Sequence, residues 1–387
     1  MKNKITIFIG LYNSEKNLPN VFDQLRSQNN QSFDVLVVDN NSSDRSFEKA
    51  SEWKLEYKSR LELIRNATNL GAYGSLFHNL YRIKTPWFIW WHQDDFYKYN
   101  HVDTLMELIS KSNQTVVGVS TTMGSISSDG KLMNSYARPT WFTKNSSQVG
   151  QFIQNVKAQS IPDPASAFRV DVFKRTLIPV HSSSFPDTEH TLLMLGYGKF
   201  LISQKETMLY QENPNGISKT INQKERIFGA ILGLVRVFHS ESFKKLIFTI
   251  EDKNREKFAE RVIEALEIRF EKNDALKQLV ILIFLERLIL EWGYDYTRIS
   301  KLTQKNYSEF SSKLTLDTLS GLSGIPNVKN YKKINMTDQK SIMNSLWHKY
   351  SLIQLPMLRR LNKILVKSIY QFLFILKPKH RLKDRWD

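Results

Sequence analysis

Apolar residues in the first half of the chain come in short continuous runs, each followed by a stretch with helical spacing. Ile5-Thr6-Ile7-Phe8-Ile9 reads as a buried strand, and Leu18, Val21, Phe22 and Leu25 then share one helical face behind Asn13 and Ser14, which can cap it. Val35-Leu36-Val37-Val38 is a second continuous strand, ending in the turn formers Asp39-Asn40-Asn41-Ser42-Ser43-Asp44. Leu61 to Ile64 predicts a third strand, Tyr73 to Tyr81 a third helix, and Trp87 to Trp91 a fourth strand that stops at His92-Gln93-Asp94-Asp95. A helix over Val102 to Ile109 and a strand over Thr115 to Val119 continue the series. Strands alternating with helices predict an α/β domain with a mainly parallel sheet, whose ligands bind beyond the C-terminal strand ends. Asp39, Asp94 and Asp95 fall at that edge.

From about Thr121 to Pro164 the chain turns polar and rich in turn formers, which predicts a hairpin or loops over the site. Helical spacing returns over Phe185 to Leu195, followed by strand-like Phe200-Leu201-Ile202 and Met208-Leu209-Tyr210. After Asn213-Pro214-Asn215-Gly216 long amphipathic stretches take over, such as Phe228 to Phe238 and Phe258 to Phe270. These shifts divide the chain into residues 1–220, an α/β domain, and residues 221–387, a mostly helical region.

Charge changes this picture at the far end. The formal net charge is +17, and basic residues such as Arg359, Arg360, Lys363 and Lys367 crowd residues 350–387. Leu358, Leu361, Leu365, Ile369, Phe372 and Leu376 recur there at helical spacing, the pattern of a basic amphipathic helix that can lie on an anionic membrane surface. No apolar run approaches the ~20 residues of a membrane span, and no signal peptide is read at the start, so the expected location is the cytoplasm, peripheral to the inner face of the membrane. The acidic strand ends and the absence of an RNP-like aromatic motif argue against nucleic acid as the partner of the positive field. The chain has no cysteine, which excludes disulfides, thiolate metal sites and a cysteine nucleophile.

Carboxylates ending parallel strands can hydrogen-bond a nucleobase or ribose and can hold Mg²⁺ or Mn²⁺ against a diphosphate. Taken together, Ile9-Gly10-Leu11-Tyr12-Asn13, Val37-Val38-Asp39-Asn40-Asn41-Ser42-Ser43-Asp44, Asn69-Leu70-Gly71 and Gln93-Asp94-Asp95-Phe96 resemble, in order and spacing, the motifs of family-2 glycosyltransferases. The resemblance covers roughly residues 4 to 220 and implies the GT-A, Rossmann-like fold and transfer of a sugar from a nucleoside-diphosphate sugar with inversion. It implies that Leu11, Tyr12, Asn13, Asp39, Asn69, Gly71 and Asp94 line the donor site.

Where the family has an Asp-x-Asp metal motif this chain has His92-Gln93-Asp94-Asp95, so the resemblance implies Asp94 as ligand to the cation, with His92 as a further candidate. Phe185-Pro186-Asp187-Thr188-Glu189-His190 resembles the family's acidic segment that supplies the catalytic base, which the register puts on Asp187 with Glu189 as the alternative. Gln211-Glu212-Asn213-Pro214-Asn215-Gly216 resembles the closing segment, with Asn213 standing where a His often reaches the metal or diphosphate. A glycan or lipid-linked glycan acceptor in cell-surface polysaccharide or lipopolysaccharide synthesis is the implied use. The alternatives are a catalytically weak or inactive member of the family, given His92 and Asn213, and a nucleotidyltransferase, although the Gly-rich basic phosphate loop of that class is missing.

Overall fold

Continuous apolar runs form the middle of the sheet. β1 (Ile5–Leu11), β2 (Asp34–Asp39), β3 (Leu61–Arg65) and β4 (Trp87–Trp91) are parallel neighbours in the order β3-β2-β1-β4. This is a computed structural model, and it describes residues 4–127, 131–133, 146–158, 161–178, 186–212, 223–271 and 274–294. Beyond β4, the short β5 (Phe96–Tyr97), β6 (Val116–Ile126), β7 (Leu132–Met133), β8 (Ser166–Arg169) and β9 (Lys199–Gln211) extend the sheet in the order β4-β8-β6-β9-β5, with β7 paired to β6.

The sheet is mixed and mostly parallel. β8 runs antiparallel to both of its neighbours, with Ile89 opposite Ala167 and Val119 opposite Ala167 on the two sides. Periodicity did not predict this strand, because Ser166-Ala167-Phe168-Arg169 is four residues long with a single large apolar side chain. The two strand-like runs expected after residue 200 are one strand, β9, whose polar middle Ser203-Gln204-Lys205-Glu206 is carried across register shifts against β6. The expected hairpin is present as β6–β7, with Ile126 opposite Leu132.

Both faces of the central strands are buried, so these strands show no polar alternation. On one face Ile5, Ile7, Ile9, Val35 and Val37 pack with Leu18, Val21 and Leu25 of α1 (Leu18–Arg26). α2 (Ser46–Glu52) and α3 (Lys54–Tyr57) add Ala50 and Tyr57 to that core, and Trp53 between them stacks on Phe22 at 5.0 Å. On the other face α4 (Gly71–Asn79) lays Tyr73 edge-on against Trp90, with centroids 4.6 Å apart. α5 (His101–Ser110) joins the first core through Val102 and Leu105, while α6 (Gln148–Lys157) is tied to β9 by Gln151, whose side chain bonds the backbone of Phe200 in both directions at 2.8 Å. Phe88, Phe168 and Phe173 of α7 (Val170–Phe173) meet at 4.8–5.5 Å. Each fully buried aromatic of this kind contributes about 1.5–3 kcal/mol relative to exposure.

α8 (Pro186–Leu195) follows, and nearly all of it is buried. Helices Gln223–Phe238 and Glu241–Phe248 complete the same packing unit, which runs to Phe258. The change of character near residue 220 therefore marks the end of the sheet, while the packing unit continues for two more helices. The hydroxyl of Ser242 donates to the Leu193 carbonyl, and Ser242 also lies so close to Gly196 at the end of α8 that a Cβ on that glycine would clash with the Ser242 backbone oxygen. A second unit begins at Ala259 and contains most of helix Asp252–Arg269 and the whole of Asp274–Trp292. Among the described residues no helix is long and apolar enough to cross a membrane. Residues 350–387 lie outside the described residues.

Candidate active site

The C-terminal ends of β1 and β2 are locked together by short polar side chains. Leu11 is buried opposite Asp39 in the ladder, and the amide of Asn40 donates to the Leu11 carbonyl at 2.8 Å. Tyr12 is half-buried, its amide and carbonyl both turned to the Ser14 hydroxyl at 3.1 Å. Asn13 adopts φ 48°, a left-handed conformation that Asn tolerates better than most residues. Its amide donates to Ser42 Oγ at 3.0 Å and its Oδ1 accepts from the Ser43 amide at 2.9 Å, so Asn13 fastens one loop to the other.

Asp39 is completely buried at the end of β2. A carboxylate there needs compensation. It receives the Ser42 amide at 3.2 Å and the Arg65 Nε at 3.2 Å, and Arg65 Nη2 donates to the Ser42 carbonyl at 2.6 Å. Beside it Asn40 organises the next loop: its Nδ2 donates to Asn69 Oδ1 at 2.6 Å, and its Oδ1 accepts from Asn66 Nδ2 at 2.9 Å and the Leu70 amide at 3.0 Å. Gly71 opens α4 at φ 71°, where a side chain would be strained, and donates its amide to Asn69 Oδ1 at 2.9 Å. Asn69 and Gly71 therefore fix the loop before α4 against the end of β2.

β4 delivers a group of three ligand-type side chains. One ligand atom each from His92, Asp94 and Asp95 lies within 4.8 Å of the others, with Asp94 exposed, His92 part-buried and Asp95 buried. His92 Nδ1 is 3.5 Å from Asp95 Oδ2, while His92 Nε2 and Asp95 Oδ2 are buried atoms with no hydrogen-bond partner. One imidazole and two carboxylates, with His92 Nε2 and Asp95 Oδ2 unpartnered, form a donor set that suits a hard-to-borderline divalent cation such as Mg²⁺ or Mn²⁺. Burial opposes charge on His92, but the Asp95 carboxylate outweighs it with help from Asp94 and Asp163, so the imidazole is raised above its ordinary value. Burial also raises the Asp95 carboxyl, in spite of His92. Asp95 has a second task, since its Oδ1 accepts the Gln211 amide at 3.0 Å and so fixes the end of β9. Asn213, two residues further on, lies outside the described residues.

The two acids at the start of α8 point to different surroundings. Asp187 is half-buried and its Oδ1 accepts the Thr188 amide at 2.9 Å. Glu189 is buried, and both of its oxygens are held by Arg236 of helix Gln223–Phe238, at 2.5 and 2.6 Å. Burial nevertheless raises the Glu189 carboxyl despite Arg236. Facing the Asp187 side of α8 is Asp163, a buried carboxyl in the turn before β8 that accepts from Tyr73 Oη at 2.8 Å.

These placements form a row. Asp39 pairs with Leu11 and Ile9 pairs with Trp91, so the ends of β2 and β4 flank β1 on one edge of the sheet, about 10 Å apart at two strand spacings. Asp163 lies within electrostatic reach of both His92 and Asp187, which joins the β4 end to the start of α8. Arg65, Tyr73 and Asp163 escaped the motif-based reading of the site. Asp95 is read from the sequence at the strand edge beside Asp94 without a ligand role, whereas Asp163 and Tyr73 carry no local signal, because only folding brings them to α8.

The likeness to known proteins follows the same stretch. Residues 6–177 match the model of Glycosyl transferase family 2. This segment is a family-2 glycosyltransferase domain. A dolichol-phosphate mannosyltransferase from Pyrococcus furiosus is 25% identical over 166 residues, covering 43% of this chain and 45% of that one. A teichoic acid poly(glycerol phosphate) polymerase from Staphylococcus epidermidis is 27% identical over 114 residues, covering 27% of this chain and 16% of the relative. The chain spans less than half the length of the curated relatives it matches. Among solved structures, S. aureus TarS residues 1–349 in complex with UDP-GlcNAc aligns at 14% identity with a TM-score of 0.48, over 76% of this chain and 93% of that one. Within the glycosyltransferase domain, the loops around Asn13, Asp39, Gly71 and Asp94 all fall inside the matched residues, and α8 with Asp187 follows just after them.

Proposed function

We propose that this glycosyltransferase moves a sugar from a nucleoside-diphosphate sugar to an acceptor hydroxyl by a single in-line displacement that inverts the anomeric centre. What supports this reading is Asp39 and the His92-Asp94-Asp95 group at strand ends that flank β1, with Asp163 in electrostatic reach of both His92 and Asp187 of α8. Leu11, Tyr12, Asn13, Asn69 and Gly71 form the wall on which the nucleoside rests. Asp39, neutralised by Arg65, presents a fixed dipole to the base or ribose. His92, Asp94 and Asp95 are the residues that would hold a divalent cation, and such a cation would offset the charge of the departing diphosphate. Asp187 accepts the proton of the attacking hydroxyl as its oxygen closes on the anomeric carbon and the bond to the diphosphate breaks. Glu189 is committed to Arg236 and takes no part in proton transfer.

The acceptor fits a glycan or lipid-linked glycan of cell-surface polymer synthesis, a reading supported by the teichoic acid relative. Peripheral attachment to the inner face of the membrane through residues 350–387 would bring the enzyme to such an acceptor. A screen of nucleotide sugars for release of free nucleoside diphosphate, with and without Mn²⁺, tests the reading. Release that depends on acceptor supports it. Release of pyrophosphate instead would assign a nucleotidyltransferase, and no turnover of any donor would favour an inactive member of the family.

A further inference from the structure

The carboxyl of Asp163 has no part in the chemistry described so far, yet it is almost completely enclosed in the wall of the site. It is 3% exposed, in the turn that leads into β8, and three elements converge on it. From α4, Tyr73 Oη donates to its Oδ2 at 2.8 Å. From α8, Thr191 Oγ1 lies 3.4 Å from its Oδ1. Thr191 is one helical turn beyond Asp187, so both face the same way and Asp163 packs against the side of α8 that carries the base. From the end of β4, His92 exerts a weaker, favourable field, and Asp187 exerts the opposing one. Tyr73 is itself packed edge-on against Phe77 at 5.6 Å and Trp90 at 4.6 Å, which restricts the ring that carries this hydroxyl.

Resting on the assignment of Asp187 as base, we propose that Asp163 is a positioning residue that forms a carboxyl pair with Asp187, holding a proton of its own while Asp187 is ionised, so that the pair carries one negative charge. Two carboxylates in a poorly solvated wall repel each other, and the more enclosed of them keeps its proton longer. Burial, followed by the charge of Asp187, pushes the Asp163 carboxyl up to about 7, against the pull of Tyr73, His92 and Thr191. Below neutral pH the neutral Asp163 dilutes the basicity of its partner. Above it the second charge appears and makes Asp187 a stronger proton acceptor. The pair thus adds an upward step near neutrality to the pH dependence of kcat.

The test uses the full chain with ¹³C-labelled aspartate, following carboxyl signals by NMR from pH 5 to 9, together with kcat over the same range. The expected result is one buried carboxyl titrating near neutrality in the native protein and absent from Asp163→Asn, with the step in kcat lost in the same variant. Tyr73→Phe removes a bond that favours the ionised form, so it shifts both titrations upward. A merely structural role for Asp163 would lower kcat at every pH and leave the step in place, which would overturn the pairing. So would a carboxyl signal near neutrality that survives Asp163→Asn. A signal that disappears in Asp163→Asn while no donor is turned over supports the pairing and counts against sugar transfer alone.

Discussion

Two acids two residues apart at the start of α8 should respond in opposite ways to isosteric neutralisation. Asp187→Asn removes the proton acceptor and is expected to lower kcat by about 10²–10⁴-fold. Its structural cost is set by the charge at the helix start, where the carboxylate accepts the Thr188 amide, and a favourable charge at a helix N-terminus is worth about 0.3–1 kcal/mol. Glu189→Gln leaves the chemistry in place but breaks a two-armed pair with Arg236, whose side chain is 27% exposed. Removing one partner of a buried pair costs about 3–5 kcal/mol, and the exposure of Arg236 puts this case at the low end. At about 2–4 °C per kcal/mol for a unit of this size, Glu189→Gln should melt about 6–12 °C lower, against about 1–4 °C for Asp187→Asn. Replacing both members with apolar residues, Glu189→Leu with Arg236→Met, should recover most of that loss, because burial already disfavours the Glu189 charge. Thermal melts and progress curves of nucleoside diphosphate release at a temperature well below all the transitions supply the two readouts. If Glu189→Gln loses turnover a hundredfold at an unchanged melting point while Asp187→Asn stays active, the roles of the two acids are the reverse of those argued here.

Chelation should suppress turnover and added Mn²⁺ or Mg²⁺ restore it, and His92→Ala should raise the metal concentration needed about tenfold or more; activity indifferent to chelator would exclude a cation at His92, Asp94 and Asp95. Asp39→Asn should raise the KM for the donor more than it lowers kcat, since the loss falls on nucleoside binding, and equal KM values in initial-rate measurements would remove Asp39 from the donor site. Acid should unfold the protein through two buried histidines, His101 bonded to Thr207 at 2.7 Å and His190 bonded to Thr176 at 2.9 Å, each pushed by burial from 6.5 down to about 3. A lowered folded value means that their stability is complete above pH 6.5 and drains as pH falls towards 3. At pH 5 each has lost about 2 kcal/mol, which urea midpoints at pH 7.5 and 5 would show, and His101→Gln should remove about half of the difference; a difference unchanged in that variant would contradict the assignment.

The parallel half of the fold was legible because its strands are buried on both faces, so Ile5 to Ile9, Val35 to Val38 and Trp87 to Trp91 stand out as unbroken apolar runs. β8 was not, since a strand of Ser, Ala, Phe and Arg has no pattern of its own and is specified by the partners on either side. The site divides in the same way. Asp39, Asp94 and Asp187 end strands or open a helix, positions that can be read from the local sequence. Asn13, Asn40 and Asn69 could be read as polar loop residues, but their work as cross-braces depends on residues about thirty positions away. The same holds for Asp163 and Tyr73, separated by ninety positions and joined by one hydrogen bond.

α8 also sets a limit on how far the enzyme could be shortened. Every proposed donor residue lies before residue 178, and a fragment ending after β9 at Gln211 would keep them all as well as Asp187. That fragment would lack Arg236 and Ser242, which bond Glu189 and the Leu193 carbonyl of α8. With Glu189 left charged and unanswered, the helix would have reason to turn that residue towards water, and Asp187 would turn away with it. The two helices after the sheet, which resemble an appendage when read along the chain, therefore act as a clamp on α8.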